Sequence, residues 1–322
     1  MSFLKNILWK IKRAIIIFLI FLLIVSVIYV VIVVRAGSRV SKFSAIIDSD
    51  AGNGVSDLLA ISRVLADPGF EVIGLTSAQW NQHPEAAENT VDLSQNLGDT
   101  LLKLFRRENI PHPRGGEKMI GYFNEPITQG SEAAEFIVKK AHEGSKDKKL
   151  NIITLGPMTN LATAILMDST IIPNLRVYSL AMDYDPKTNV WNKNEFNVRN
   201  DLDALDLILN TDKLEMHIMP ASISKELVFG EDETVDLMKH KGVPWDFLID
   251  RWQEKSKGGK ELIVSDVALI EAILKPDFVK EEQTNTPPEN RNRRVYVYTL
   301  IKKEFMKIDY WKAIKKYISD NT

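Results

Sequence analysis

The run Asp48-Ser49-Asp50-Ala51-Gly52-Asn53-Gly54-Val55-Ser56-Asp57 follows the apolar stretch Ala45-Ile46-Ile47, so three carboxylates and several small residues gather at the end of a short β-type segment. Carboxylates crowded together repel one another unless a cation or hydrogen-bond donors offset them, and a hard divalent ion is the natural partner for an all-oxygen set. The plainer alternative is that Asp48 and Asp50 cap the next helix, a task Ser56 or Asp57 could also perform. An EF-hand is excluded by spacing, because the twelfth residue counted from Asp48 is Leu59 and not a bidentate Glu. A phosphatase built on two aspartates would want a hydroxyl residue and a Lys at later strand ends, and no such context is evident.

Two further runs carry polar chemistry. Ile153-Thr154-Leu155-Gly156-Pro157-Met158-Thr159-Asn160 turns sharply from an apolar strand through Gly-Pro into a helix start, aiming backbone groups at one edge of a sheet. Asn189 to Asp201 is dense in amides and carboxylates suited to a polyhydroxylated ligand such as a sugar. Standing alone, the latter would read as a solvated, turn-rich loop.

Together these runs resemble the inosine-uridine-preferring nucleoside hydrolase family over most of residues 44–317. Asp48, Asp50 and Asp57 match its opening acidic motif, with Asn53-Gly54 as a short insertion; Gly156-Pro157-Met158-Thr159-Asn160 matches its middle motif. Glu195-Phe196-Asn197 matches its Glu-Phe-Asn, with Asn189 six positions earlier, and Ser265-Asp266-Val267-Ala268 followed by Lys275-Pro276-Asp277 resembles its last ligand segment.

The resemblance implies hydrolysis of the N-glycosidic bond of a nucleoside, a small-molecule substrate, with water and Ca²⁺. The ion would be held by Asp50, a bidentate Asp57, the carbonyl of Thr159 and Asp266, with Asp50 also the general base. Asn81, Asn189, Glu195 and Asn197 would grip the ribose. Two departures stand out. Ser56 occupies a position where the family commonly has an Asp for a ribose hydroxyl, and Ser265 one where many members have a His that protonates the leaving base. The rival expectation is a catalytically silent, membrane-anchored relative that binds a ribosyl ligand or a partner protein; buried acidic groups are costly without a cation, which favours the enzyme. Trp80 and His83 are neighbours suited to stack on or protonate a base.

The elements that must position these residues alternate. Strands are expected at Ser44–Asp48, Glu71–Thr76, Leu150–Leu155, Leu175–Ala181, Met216–Pro220 and Val295–Leu300, and helices at Ser56–Ala66, Pro84–Leu104, Ala133–Glu143, Met158–Met167 and Tyr310–Tyr317. Asn109–Gln129 and Lys280–Arg294 look like loops. Such alternation predicts an α/β fold with a mostly parallel, doubly wound (Rossmann-like) sheet, helices on both faces and ligands at the carboxyl ends of the strands.

Ahead of the domain lies an uncharged stretch at 14–34, which at about 1.5 Å per residue would span roughly 30 Å of hydrocarbon. It predicts a basic N-terminal segment at 1–13, one transmembrane helix at 14–34, a linker at 35–43 and a catalytic domain at 44–322. The basic residues ahead of the span place that domain outside the cytoplasm, as a single-pass cell-membrane protein. No cysteine is present, which rules out disulfides and thiolate metal sites, and the net charge of −2 offers no basic footprint for nucleic acid. A homo-oligomer is left open.

Overall fold

A computed structural model describes residues 9–10, 13, 15–26, 43–84, 86, 88–121, 130–256 and 258–321. The chain divides into a unit at 1–42 and a unit at 43–322.

Among the described residues no helix is long and apolar enough to cross a membrane. This corrects the expectation of a transmembrane helix at 14–34, and with it the membrane partner and the single-pass, extracytoplasmic placement. Most of the segments assigned to 1–13 and 35–43, and the rest of 14–34, lie outside the described residues.

The second unit is built on a seven-stranded sheet. Its strands are β1 (Phe43–Ser49), β2 (Phe70–Ser77), β3 (Leu150–Thr154), β4 (Leu175–Leu180), β7 (Glu215–Met219), β10 (Val279–Asn285) and β11 (Arg294–Ile301), in the order β10-β11-β7-β4-β3-β1-β2. All neighbours are parallel except the edge pair β10 and β11. Two short antiparallel pairs accompany the sheet, the hairpin of β5 (Asp183–Asp185) with β6 (Val190–Asn192) and the pair of β8 (Val228–Gly230) with β9 (Glu261–Ile263), whose strands are distant in sequence.

Side chains alternate across a strand, and the core divides accordingly. Ala45, Ile47 and Ile153 join a cluster on one face, with the helices α1 (Ser56–Ala66), α2 (Thr90–Leu104), α10 (Ser265–Leu274) and α11 (Lys303–Asn321). Ile46 and Ile152 join the cluster on the other, with α3 (Glu132–His142), α4 (Thr159–Met167) and α6 (Leu202–Asn210). Between α4 and α6 lies the short α5 (Phe196–Asn200); α7 (Ala221–Ser224), α8 (Glu231–Met238) and α9 (Val243–Ser256) complete the set.

Three boundaries differ from expectation, among them the last helix, expected over Tyr310–Tyr317 and found over Lys303–Asn321. The helix expected from Pro84 begins at Thr90, because Asn89 caps it by accepting the amide of Asp92 at 3.2 Å. The loop expected over Lys280–Arg294 is partly β10: its exposed polar residues belong to an antiparallel edge strand, where one face and one edge meet water.

From β1 the chain steps to β2 on one side and then back across to β3 on the other. A crevice opens at such a reversal, outside the carboxyl ends of the two diverging strands. Asp48 and Asp50 stand at the end of β1, and Gly156 just past the end of β3.

Candidate active site

Asp48 holds the end of β1 in place. Its Oδ1 accepts from Thr76 Oγ1 at 2.6 Å and from Asn160 Nδ2 at 2.8 Å, joining β1, β2 and the start of α4. Burial pushes its carboxyl up to about 6 against the pull of those two bonds.

Asp50 lies in the crevice, 2 % exposed, and its Oδ2 has no hydrogen-bond partner. Gly156 makes its position available: a Cβ there would come within 2.7 Å of Asp50 Oδ1 and 2.9 Å of the Asp50 amide nitrogen. The Asp50 carboxyl sits well above the ordinary range, first because it is buried, then because Asp57 and Asp266 are close and negative, with Glu195 adding to them.

Asp57, in the first turn of α1, accepts from Ser49 Oγ at 2.6 Å. Burial lifts it to about 6, while hydrogen bonds from Ser49 and Asp50 work the other way. Asp266, in the first turn of α10, is raised by burial and then by Asp57, and is steadied by Ser56. Ser56 Oγ accepts the Asp266 amide at 3.1 Å, tying the N-termini of α1 and α10 together. The groups acting most strongly on these three carboxyls include no Lys or Arg.

An all-oxygen set with a buried, unpartnered carboxylate oxygen and mutual repulsion fits a hard divalent cation. As they stand, no three Asp, Glu, His or Cys side chains among the described residues surround one point closely enough to hold an ion.

The remaining expected residues divide. Glu195 caps α5, accepting the Val198 amide at 3.1 Å, and its charge is felt at both Asp50 and Asp266. Burial pushes it up to about 7 against the backbone bonds of Asn197 and Val198. Asn197 is buried beside it; its Nδ2 donates to Leu155 O at 2.7 Å and Leu180 O at 3.1 Å, clasping the ends of β3 and β4. Thr159 begins α4 with its carbonyl accepting from Thr163 Oγ1 at 2.8 Å and its hydroxyl donating to Asp201 at 2.6 Å. Asn81 is engaged on both sides, donating to the Glu117 carbonyl and accepting from Thr90 Oγ1. Asn189 stands exposed in the turn between β5 and β6, at a φ of 57°, and accepts from Tyr184 Oη at 2.8 Å rather than reaching the carboxylates.

Three residues given no role from sequence prove central. Asn160 donates to Asp48 and to Ser77 O at 3.0 Å, and accepts from Gly116 N at 2.9 Å, fixing part of the irregular stretch around 109–121 against the site. Asp201 receives Thr159 and the Ile120 amide, at 3.1 Å. Gln79 bridges Thr159 Oγ1 at 3.1 Å and Asn200 O at 2.9 Å. Each lies inside or beside a motif already singled out, but only burial distinguishes such an amide from a turn former.

Among known proteins, the chain is 25 % identical over 268 residues to the probable uridine nucleosidase 2 of Oryza sativa subsp. japonica, covering 76 % of this chain and 78 % of that one. It is 26 % identical over 254 residues to uridine nucleosidase 1 of Arabidopsis thaliana, covering 72 % and 74 %. Its fold is similar to that of the plant nucleoside hydrolase PpNRh1, with a TM-score of 0.66 at 18 % identity over 86 % of this chain and 98 % of that one. The family model described as inosine-uridine preferring nucleoside hydrolase matches residues 45–307. The chain therefore belongs to the inosine-uridine preferring nucleoside hydrolase family, enzymes that cleave the N-glycosidic bond of nucleosides with water.

Proposed function

We propose that this enzyme hydrolyses ribonucleosides, uridine among them, with Asp50 as general base beside a Ca²⁺ held by Asp50, Asp57, Asp266 and the Thr159 carbonyl. The observation that carries this reading is the buried Asp50 carboxylate with an unpartnered oxygen, set among Asp57, Asp266 and Glu195. When bound, the ion supplies Lewis acidity toward a water and the sugar hydroxyls. Asp50 takes a proton from the attacking water as its oxygen bonds to the anomeric carbon. The N-glycosidic bond breaks with its electron pair going to the base, which then gains a proton, leaving ribose and free base. Glu195, whose charge reaches Asp50 and Asp266, accepts a sugar hydroxyl and counters positive charge developing on the ring. Asn197 retains its carbonyl oxygen for the same sugar. Ser56 contributes through Asp266, to whose amide it is bonded. Uridine is named because both the rice and the Arabidopsis relatives bear that substrate in their names.

The test is release of ribose from a panel of purine and pyrimidine nucleosides with Ca²⁺ present, by the parent and by Asp50→Asn. Asn keeps an oxygen but removes the base, so hydrolysis should fall by at least about 10²-fold, with Ca²⁺ still bound. An Asp50→Asn variant working at the parent rate would remove Asp50 from the mechanism. A parent that binds Ca²⁺ yet releases ribose from none of the panel would favour a ligand-binding role.

A further inference from the structure

A cavity of about 590 Å³ lies away from the carboxylate crevice. It lies between the end of α1, the turn after α2, Lys275 and the last half of α11. Asp57 and Asp266 sit in the first turns of α1 and α10, whereas Arg63, Ala66 and Lys275 lie at or just past the other ends of those helices. The cavity is therefore a separate place in the fold, on the side where the strands begin.

Its walls carry six cationic side chains, Arg63, Arg106, Arg107, Lys275, Lys312 and Lys316, against three acidic ones, Asp67, Asp309 and Asp320. The three acids are already engaged. Asp67 pairs with Arg63, Asp309 with Arg63 at 3.1 Å and Lys275 at 3.3 Å, and Asp320 with Lys316 at 2.6 Å. Among the described residues Arg106, Arg107 and Lys312 form no ion pair, so three positive charges share the rim without a protein anion.

The backbone at this rim gives independent support. Arg106 N donates to Lys103 O at 3.0 Å and Arg107 N to Leu102 O at 2.7 Å, and Arg106 is left-handed, with φ 55°. This helix-ending motif puts glycine at that position by preference, since only glycine adopts the conformation without steric cost. An arginine there is kept against backbone preference, with its guanidinium at the cavity. Behind the cations, Ala66, Pro68, Phe105 and Tyr317 supply apolar wall, the two rings with centroids 5.5 Å apart.

We propose that this cavity binds a small organic phosphate, its phosphoryl oxygens held by Arg106, Arg107 and Lys312 and its organic part lying against the apolar wall. A dianionic phosphate answers several adjacent cations, and arginine's planar fork suits its oxygens. The volume falls within the range of small-molecule sites and exceeds what a bare phosphate would fill.

Calorimetric titration of the full chain, treated with chelator so that no cation at the carboxylates captures phosphate, tests the site. The probes are uridine 5′-monophosphate, inorganic phosphate and, without phosphate, uridine. The parent should bind uridine monophosphate saturably and inorganic phosphate more weakly, and Arg106→Ala/Arg107→Ala/Lys312→Ala should weaken the former at least tenfold while leaving uridine binding unchanged. All three side chains belong to exposed residues, and an unaltered melting temperature of the variant verifies that the fold is kept. Absence of saturable binding by either phosphate overturns the proposal, as does binding that survives the triple substitution. Inorganic phosphate binding as tightly as the nucleotide would remove the apolar wall from recognition and overturn the organic part of the assignment.

Discussion

Asp50 occupies its place only because residue 156 lacks a side chain. A methyl group at Gly156 would meet both the Asp50 carboxylate and its backbone nitrogen inside 3.0 Å, and the backbone nitrogen cannot swing away. Gly156→Ala should therefore displace the carboxylate at a cost of about 1–3 kcal/mol in stability, in the manner of other overpacked sites. It should also lower hydrolysis by on the order of 10²-fold through misplacement of the proposed general base. Melting temperature and steady-state kinetics measure the two effects separately; full activity in this variant would mean that the carboxylate is not held where the structure shows it. The same scale explains which site residues sequence could place. Asp50, Asp57, Asp266 and Glu195 converge because each ends a strand or opens a helix at one edge. Asn81, Asn189 and Asn197 share a residue type and a motif context, yet the first and last spend their amides on backbone carbonyls and the second is exposed with Tyr184. A sequence shows an amide but not which partner claims it.

At the scale of elements, α1 and α10 bring Asp57 and Asp266 together, and both are buried nearly all round. They are joined at their far ends by Arg63, whose Nε donates to Glu271 Oε1 at 2.7 Å, with the two side chains 1 % and 0 % exposed. Burial raises Glu271 to about 7, with Arg63 pulling in the opposite direction. Removing one member of such a pair strands the other. Arg63→Met should cost about 3–5 kcal/mol, and Arg63→Met with Glu271→Leu should cost less than the single change, because the double leaves no fully buried carboxylate unpaired, Asp67 and Asp309 being partly exposed. Urea unfolding of the three proteins checks the order; a double variant less stable than Arg63→Met would show that the pair itself stabilises the helices. The parallel strands and the helices α1 to α4 and α11 were legible in the alternation of β-branched runs and helical periods, since parallel strands and their covering helices each carry a distinct period. The edge strand β10, the two short antiparallel pairs and the helices α5 to α10, Asp266 with them, were not. β10 is polar and exposed and the strands of the two pairs are three residues long, so each carries too little of a period to be read as a strand without its antiparallel partner.

Across the whole molecule, charges gather at the edge opposite the carboxylates as well. Glu215, at the start of β7, accepts from Lys149 Nζ at 2.8 Å and from Arg176, and lies within 3.2 Å of His217 Nε2. His217 in turn stacks between Tyr178 and Tyr296 and meets Glu281 at 2.7 Å. Burial alone would raise Glu215, but bonds from Arg176, Lys149 and His217 outweigh it and hold it at about 2. Because that value lies below the ordinary 4.5 of an exposed glutamate, acid protonates the unfolded chain first. The stability this cluster contributes is present above pH 4.5 and is lost as pH falls from there toward 2. Between those limits, acid unfolding of Glu215→Gln should be less steep in pH than that of the parent; identical slopes would show that Glu215 binds its proton alike in both states.

The bond between Ser56 and Asp266 closes a sequence separation of 210 residues. At a synthesis rate of about 5–20 residues per second, the ribosome needs roughly 10–40 s to travel from one to the other. Through that interval the first-made acidic loop has no α10 to pack against. With the Ca²⁺ site proposed above, arrested nascent chains that end before Asp266 should show no Ca²⁺-dependent protection of the loop around Asp50 from protease, and protection should arrive abruptly once α10 has emerged. Assembly of the acidic crevice is thus a late event in the life of each molecule.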